Sequence, residues 1–329
     1  MKKILTALAL SAVVTSPLLA PVAHAANPVI CLAYDTGGPG DGSFNDAAQA
    51  GLKVAAKNLE FTLETTVTAG DAKDRIDRLT ALVKKDCTVV IAVGTGYAAS
   101  LKEISRQYPE TQFAILNDAT VDALNVTSIV FADVQGAYLA GYAAALASKS
   151  GKVAMVGYAS QKELFENGFS PGAKAAKKSI VTTVKYIASS ASGATSSLLR
   201  AGHDVIFLAT TGSATEVFNT VVASNNSNKN KAASGLITVE PDQFLSVTSS
   251  TKKFVLATVV KRVDLALIDL LTKTLAGSSF YDEIDPVLGV YGYRYGISDK
   301  GIEVTLRSPA LIAKTAKINS ASIIASKLN

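Results

Sequence analysis

Histidine is almost absent from this chain. Of 329 residues, two are histidine, His24 and His203. Histidine is the usual general base of serine and cysteine hydrolases, and catalytic zinc sites commonly use several of them. His24 lies in a segment that we expect to be removed, and His203 stands at a turn before a predicted strand, which indicates a surface position. The composition therefore disfavours most secreted hydrolases, and we expect no metal and no cofactor.

Long apolar runs are missing after the start of the chain. The start has the basic pair Lys2-Lys3, an apolar run over Ile4–Ala20 and the sequence Ala23-His24-Ala25, which together are typical of a secretory signal peptide. A membrane anchor is the alternative, but polar residues and Pro17 interrupt the run. No later segment reaches the roughly 20 apolar residues that a spanning helix needs. We expect cleavage after Ala25 and export to the periplasm or the cell surface.

Neither sign of charge dominates the composition. Lys and Arg together number 32 and Asp and Glu 27, which gives a net charge of +5. Nucleic-acid-binding domains carry their basic residues clustered on one face or along one helix. The basic residues here are dispersed, so we expect no nucleic-acid partner.

Cysteine is scarce too, and both cysteines stand at the start of a predicted strand. Cys31 and Cys87 each open a predicted strand. In a doubly wound sheet of order 2-1-3 these two strands are parallel neighbours, and an exported protein meets an oxidising compartment. The sequence predicts a Cys31–Cys87 disulfide, with two buried free thiols as the alternative.

Strand and helix patterns alternate along the chain. Apolar strand-like segments run from Ile30–Tyr34 to Ser128–Phe131 with helical segments between them, and a second series begins at Val153–Tyr158. Without the leader about 300 residues remain, which favours two lobes because single cores stop growing near 250–300 residues. Parallel sheets bind ligands at the carboxyl ends of their strands. In the first lobe those ends are Asp35, Gly94–Tyr97, Asn117-Asp118 and Asp133.

The loop after the first strand is rich in glycine and acids. It reads Asp35-Thr36-Gly37-Gly38-Pro39-Gly40-Asp41-Gly42-Ser43-Phe44-Asn45, and Ser43 suits the N-cap of the following helix. A nucleotide-phosphate loop is disfavoured, because no Gly-Lys-Ser/Thr is present and the third glycine of Gly-x-Gly-x-x-Gly is missing. Phe44 offers a stacking face beside polar groups. The alternative is that Phe44 belongs to the core and the acids only cap the loop.

This loop closely resembles the signature of the basic membrane protein (BMP) family of ABC-transporter substrate-binding proteins. Further stretches resemble the family in the same order, namely Gly136–Tyr142, Phe165–Gly172 and Thr238–Gln243. The resemblance implies an α/β fold of two Rossmann-like lobes joined by a three-stranded hinge, as in type I periplasmic binding proteins. The expected division is a signal peptide over 1–25, an N-terminal lobe over 26–133 plus 259–280, and a C-terminal lobe over 134–258 plus 281–329. The segment Val287–Tyr295 is thereby assigned to the second lobe.

The resemblance also implies a ligand, a purine nucleoside in the cleft between the lobes. Phe44 would stack on the base, Asn45 and Asp133 would pair with its edge, and Gly212 would supply backbone amides. Asp35, Glu240 and Lys261 would bind ribose hydroxyls. Because buried charges need partners, we expect Lys261 to lie near Asp35 or Glu240.

Two departures from the family pattern bear on that ligand. Glu240 replaces the usual Asp, and Ser189–Ser192 occupies a region where a second aromatic residue is expected. Another sugar-bearing or heterocyclic solute is therefore an alternative ligand.

The leading hypothesis is a monomeric binding protein without catalytic activity that delivers its solute to an ABC permease and its ATPase. A secreted nucleoside hydrolase is a second hypothesis, with Asp35, Asp41, Asp46 and Asp133 activating water or holding calcium. A ligand-sensing domain of a regulator is a third. The signal sequence and the lack of an N-terminal helix-turn-helix argue against the regulator.

Overall fold

Most of the chain beyond the predicted leader is described by a computed structural model. The described residues are 27–159, 162–188, 190–210, 214–227, 232–239, 241, 244, 247–278 and 283–329. The predicted signal peptide, Gly212 and Glu240 lie outside them. In this part of the chain no helix combines the length and the apolar character needed to cross a membrane.

The strands follow the apolar segments of the sequence. They are β1 (Val29–Tyr34), β2 (Thr62–Val67), β3 (Val89–Val93), β4 (Phe113–Leu116), β5 (Val126–Phe131), β6 (Lys152–Tyr158), β7 (Val181–Ile187), β8 (Val205–Ala209), β9 (Gly235–Val239), β10 (Val255–Lys261), β11 (Gly292–Tyr295) and β12 (Ile302–Leu306). The inner strands β3, β8 and β9 are buried at every position. Continuous apolar runs of this kind are typical of parallel strands covered on both faces.

Helices connect the strands. They are α1 (Phe44–Ala55), α2 (Ala72–Val83), α3 (Ala98–Gln107), α4 (Asp133–Ala147), α5 (Lys162–Ala176), α6 (Ala191–Arg200), α7 (Thr215–Ser227), α8 (Ser249–Lys252), α9 (Val263–Leu275), α10 (Pro309–Ile312) and α11 (Thr315–Ala325), with a 3₁₀ turn at Thr95–Tyr97. The predicted strands Ile30–Tyr34, Ser128–Phe131 and Val153–Tyr158 lie within β1, β5 and β6 and end at the same residues.

The strands form two six-stranded sheets with the same strand order. The first is β11-β5-β4-β3-β1-β2 and the second is β12-β10-β9-β8-β6-β7. All pairings in the first sheet are parallel, and in the second β12 alone runs antiparallel, against β10. Each sheet therefore repeats one doubly wound pattern, which confirms the two-lobe α/β fold.

The chain passes between the two sheets three times. The passages are Ala132 between β5 and α4, Arg262 between β10 and α9, and residues 296–301 between β11 and β12. They are joined to one another, because the Ala132 amide donates to the Tyr295 carbonyl at 2.9 Å and the Arg262 amide to the Gly301 carbonyl at 2.8 Å. The expected three-stranded hinge is thus present.

One assignment to the second lobe is wrong. The segment Val287–Tyr295 was predicted to return there, but its strand β11 pairs in parallel with β5 in the first sheet. The outer edge of β5 would otherwise be unpaired, and unpaired sheet edges are a liability. Gly292 permits the approach, because a Cβ at this position would lie 2.0 Å from the Ser128 carbonyl oxygen.

The second lobe is built around the pair of helices α4 and α5. Glycines allow the backbones of the two helices to come close together. A Cβ on Gly141 would lie 2.0 Å from the Phe169 carbonyl oxygen. A Cβ on Gly168 would lie 2.1 Å from the Val134 oxygen, and one on Gly172 2.0 Å from the Tyr138 oxygen. Side chains cannot fit at such distances. Two of the stretches that resemble the BMP family, Gly136–Tyr142 and Phe165–Gly172, therefore have a packing role.

The disulfide prediction is confirmed, and the placement of His203 is corrected. Cys31 and Cys87 are bonded to each other, as the neighbouring positions of β1 and β3 require. His203 is buried, and its ring nitrogens lie 3.0 Å from the Leu198 carbonyl oxygen and 2.9 Å from Thr183 Oγ1. Both ring nitrogens are occupied, so His203 is a structural residue of the second lobe rather than a surface one.

Candidate functional site

A buried ion pair marks the place where the carboxyl ends of the strands meet the hinge. Lys261 is the last residue of β10, and Asp133 is the first residue of α4 after β5. The Lys261 ammonium lies 2.8 Å from Asp133 Oδ1 and donates to Asp133 Oδ2 at 3.1 Å and to Asn117 Oδ1 at 3.0 Å. The two side chains are 2% and 9% exposed.

The rest of the surroundings of Lys261 are aromatic. Its ammonium lies 6.0 Å from the centre of the Phe131 ring and 5.7 Å from that of Phe165. Ring faces attract cations, which offsets part of the cost of removing the ammonium from water. Lys261 was expected near Asp35 or Glu240; Glu240 lies outside the described residues, and Asp35 pairs with Arg75 rather than with Lys261. The partner of Lys261 is Asp133, because the first two passages between the lobes place these residues side by side.

The loop from Asp35 to Asn45 is closed by its own side chains. The Asn45 side chain is buried; its Oδ1 accepts from the Asp35 amide at 3.0 Å, and its Nδ2 donates to the carbonyls of Asp35 at 3.3 Å and Thr36 at 3.4 Å. Gly37, Gly38, Gly40 and Gly42 all have positive φ, which glycine adopts at no steric cost. Asn45 therefore fastens the loop to the end of β1, and its contact with a ligand stays a prediction.

Two acids of the loop are occupied by backbone amides. Asp41 accepts from the amides of Ser43 at 2.7 Å, Asn45 at 3.2 Å and Asp46 at 3.2 Å. Asp46 accepts from the amides of Gly40 at 2.5 Å and Gly42 at 2.9 Å. Ser43 occupies the N-cap position of α1 as predicted, but its side chain makes no capping bond; the Asp41 carboxylate does so instead, since it accepts charge-assisted bonds from three amides.

Asp35 has a partner that the sequence analysis missed. Arg75, on the first turn of α2, donates from Nη2 to Asp35 Oδ1 at 2.8 Å, and the Asp35 carboxylate also accepts from the Thr36 amide at 2.8 Å. A signal was available. Helix α2 begins at the carboxyl end of β2, which neighbours β1, so its first turn lies beside the strand end that carries Asp35.

The predicted site residues fall into two groups in the described structure. Asp35, Phe44 and Asn45 share the loop after β1, with Phe44 half-buried and packed against the core. Asp133 and Lys261 form the ion pair at the hinge. Among the described residues no hydrogen bond or ion pair links one group to the other. The described residues also contain no group of three or more histidine, cysteine, aspartate or glutamate side chains close enough together to bind a metal ion.

Sequence comparison identifies the family. The model of the family described as "Bmp: ABC transporter substrate-binding protein PnrA-like" matches residues 30–327. The chain belongs to the Bmp family. A CD4+ T-cell-stimulating antigen of Listeria innocua is 34% identical to this Bmp chain over 265 residues, which are 75% of the chain and 74% of the relative. The ABC transporter nucleoside-binding protein BmpA of Lactococcus lactis is 29% identical over 258 residues, which are 74% of each.

Solved structures share the fold of this Bmp-family chain. A transcriptional activator of the comK gene from Bacillus halodurans matches with a TM-score of 0.71 at 20% identity, covering 91% of this chain and 98% of that one. An ABC transporter solute-binding protein from Aeropyrum pernix matches with a TM-score of 0.66 at 17% identity, covering 92% and 90%. At these identities the likeness shows the fold alone, and function has to be argued from the site.

Proposed function

We propose that this Bmp-family protein binds a purine nucleoside between its two lobes and delivers it to the permease of an ABC importer. It acts outside the cytoplasm, as a monomer and without catalysis. Support for the ligand comes from the Lactococcus lactis relative, whose name gives it as a nucleoside-binding protein. Family membership supports the role in transport.

The observation that carries this proposal is the arrangement of the loop after β1. It sets the half-buried ring of Phe44 and the partly exposed carboxylate of Asp35 at one strand end. An aromatic face stacks on a base, at about 1–3 kcal/mol per base, and a carboxylate accepts from sugar hydroxyls. A nucleoside presents both groups in one molecule.

The remaining contacts are assigned on the same basis. Asn45 and Asp133 pair with the base edge, Lys261 donates to a ribose oxygen, and Glu240 and Gly212 complete the site from the second lobe. A ligand that touches both lobes favours their closed arrangement by its higher affinity for it. Closure in turn is what a permease can recognise.

Hydrolysis is disfavoured by the loop's own hydrogen bonds. Asp35, Asp41, Asp46 and Asp133 were the acids considered for activating water, and of these Asp41 and Asp46 accept from backbone amides of the loop. Carboxylate oxygens that accept from these amides have fewer lone pairs left to take up a proton from water. Asp133 lies in an ion pair with Lys261, and Asp35 in one with Arg75.

One observation favours a more polar solute as the second candidate. In the segment where a second aromatic residue was expected, the hydroxyls of Ser190 and Ser192 lie 3.0 Å apart and 3.3 and 3.5 Å from Glu216 Oε2. Hydroxyls and a carboxylate suit a sugar better than the second face of a base.

Calorimetry on the purified exported protein tests both candidates. The ligands are adenosine, guanosine, inosine, their free bases, ribose and hexoses. Phe44→Leu is the informative variant, because leucine keeps apolar contact with the core and removes the stacking face. We expect a purine nucleoside to bind and Phe44→Leu to weaken it by about fivefold to 150-fold. Binding of a sugar without any nucleoside would instead establish the second candidate.

A further inference from the structure

The two carboxylate oxygens of Asp35 have different surroundings. Oδ1 accepts from Arg75 Nη2 and from the Thr36 amide, both at 2.8 Å. No described group donates to Oδ2, and 27% of the side chain is exposed. We propose that Arg75 is a positioning residue, which fixes Oδ1 so that Oδ2 faces the cleft as a ready acceptor for a ligand hydroxyl. This inference rests on the proposed binding function and assigns it a residue outside the predicted contact set.

Arg75 is itself held from several sides. Its Nη1 donates to the Gly70 carbonyl, and its guanidinium carbon lies 5.5 Å from the centre of the Tyr97 ring. Tyr97 is fully buried, and its hydroxyl donates to the Tyr34 carbonyl at 3.0 Å, next to Asp35 in the chain. Burial raises the pKa of Tyr97, so this hydroxyl keeps its proton. The guanidinium is therefore a fixed point from which to orient a carboxylate.

The planar fork of arginine is what this geometry uses. One Nη serves the Gly70 carbonyl and the other serves Asp35, while the flat face lies over the Tyr97 ring. A lysine ammonium is a point charge without a face and cannot reproduce these contacts together. Lysine should hence retain the charge but lose part of the orientation.

A glycine leaves the space that this pair occupies. A Cβ on Gly96 would lie 2.7 Å from Arg75 Nη2 and 2.8 Å from Asp35 Oδ2. The backbone of Gly96 is outside the positive-φ region, so alanine can adopt its conformation. Both of these atoms are the ends of side chains, so an added methyl group displaces them rather than the backbone. Gly96→Ala therefore disturbs the pair without removing either charged group.

The ion pair should matter for binding more than for folding. The side chains of Arg75 and Asp35 are 15% and 27% exposed, and pairs that keep contact with water contribute little to stability. An orientation fixed in advance spares the ligand the cost of ordering the carboxylate when it binds. Substitution of Arg75 should accordingly reduce affinity while the melting temperature changes little.

The test compares four variants by calorimetry and thermal unfolding. They are Arg75→Gln, Arg75→Lys, Gly96→Ala and the control Arg78→Gln. The control removes a guanidinium from the same helix, α2. Arg78 Nε lies 3.2 Å from Asp74 Oδ1, and 45% of the Arg78 side chain is exposed. We expect Arg75→Gln and Gly96→Ala to lose about tenfold to a hundredfold in affinity, the range for a hydrogen bond to a charged group. Arg75→Lys should fall between wild type and Arg75→Gln, and Arg78→Gln should stay within about twofold.

A double-mutant cycle with Asp35→Asn decides whether Arg75 acts through Asp35. In the Asp35→Asn background, Arg75→Gln should lower the ligand affinity by less than about twofold, because the carboxylate that Arg75 positions has already been altered. An equal loss in both backgrounds, or wild-type affinity in Arg75→Gln, overturns the inference. Absence of nucleoside binding in the wild type counts against the proposed function instead. The cycle is then run with the sugar that does bind, since the inference concerns Asp35 and not the base.

Discussion

The ammonium of Lys261 lies 2.8 Å from Asp133 Oδ1, and these two residues belong to different passages between the lobes. Asp133 follows the first passage and Lys261 precedes the second. Asn117, at the end of β4, accepts a third contact from the same ammonium at 3.0 Å. One buried cation beside the hinge thus joins a strand of the second sheet to strand ends of the first.

Removal of Lys261 should destabilise the protein strongly. Lys261→Met leaves Asp133 buried without its cation, and breaking a buried pair in this way costs about 3–5 kcal/mol. Chemical denaturation of the ligand-free protein measures the change. The matched control is Lys73→Met, whose pair with Asp77 is 84% and 59% exposed; exposed pairs of this kind contribute little to stability. A loss for Lys261→Met as small as that of the control would mean that water reaches Asp133.

Loss of the disulfide should weaken the first lobe. The bond between Cys31 and Cys87 closes a segment with a sequence separation of 56, and removing such a bond costs about 2–4 kcal/mol. The double variant Cys31→Ala, Cys87→Ala should lower the free energy of unfolding by this amount and the denaturation midpoint with it. Reducing agent should lower the midpoint of the wild type and leave that of the double variant unchanged. Equal sensitivity of both proteins to the reductant would contradict the assignment.

Adding one methyl group at the contact between α4 and α5 should destabilise the protein. Gly172→Ala places a Cβ 2.0 Å from the Tyr138 carbonyl oxygen, so the helices must separate, at a cost of about 1–3 kcal/mol as for other overpacked cores. Gly193→Ala in α6 is the control, because a Cβ there meets nothing within 4 Å. Alanine forms helices more readily than glycine, so this change should stabilise by up to about 1 kcal/mol. The two substitutions are chemically identical, so opposite signs in thermal unfolding would isolate the packing effect.

Asp74 should make stability depend on pH in the acid range. The Thr68 hydroxyl and the Ala69 amide, with Arg78, hold the pKa of Asp74 below its ordinary value of 3.8. Since the pKa is lower in the folded state, the stabilisation is present above the unfolded pKa and is lost as the pH falls through the folded one. The melting temperature of Asp74→Asn should therefore lie below that of wild type near about pH 6, and the gap should close towards about pH 3. A gap that stays constant would assign the effect to packing.

Local patterns in the sequence were enough for most of the elements and for the existence of two lobes. The strands β8 and β9 are short buried runs of mainly apolar and β-branched residues, so their limits follow from local composition. The disulfide followed from two strand starts and a sheet order that places β1 beside β3. The strand ends also predicted where Asp35, Asn117 and Asp133 would lie, because parallel strands present their carboxyl ends at one edge.

Partners distant in the chain were decided by the tertiary structure. Arg75 reaches Asp35 across 40 positions, and Lys261 reaches Asp133 across 128. Neither spacing carries a local signal, since such contacts depend on strand register and on where the chain passes between lobes. The same holds for β11. The hydrophobic pattern of its four residues is compatible with either lobe, and in the structure β11 pairs with the edge of β5.

Composition and local periodicity determined this protein's fold class, its family motifs and its disulfide, because each depends on neighbouring residues or on one regular sheet order. Only the tertiary structure decided how the charges pair beside the hinge. It also decided the orientation of Asp35 and the lobe to which β11 belongs. Burial makes an ionised group take the partner that packing places beside it, and that partner is set by the whole fold.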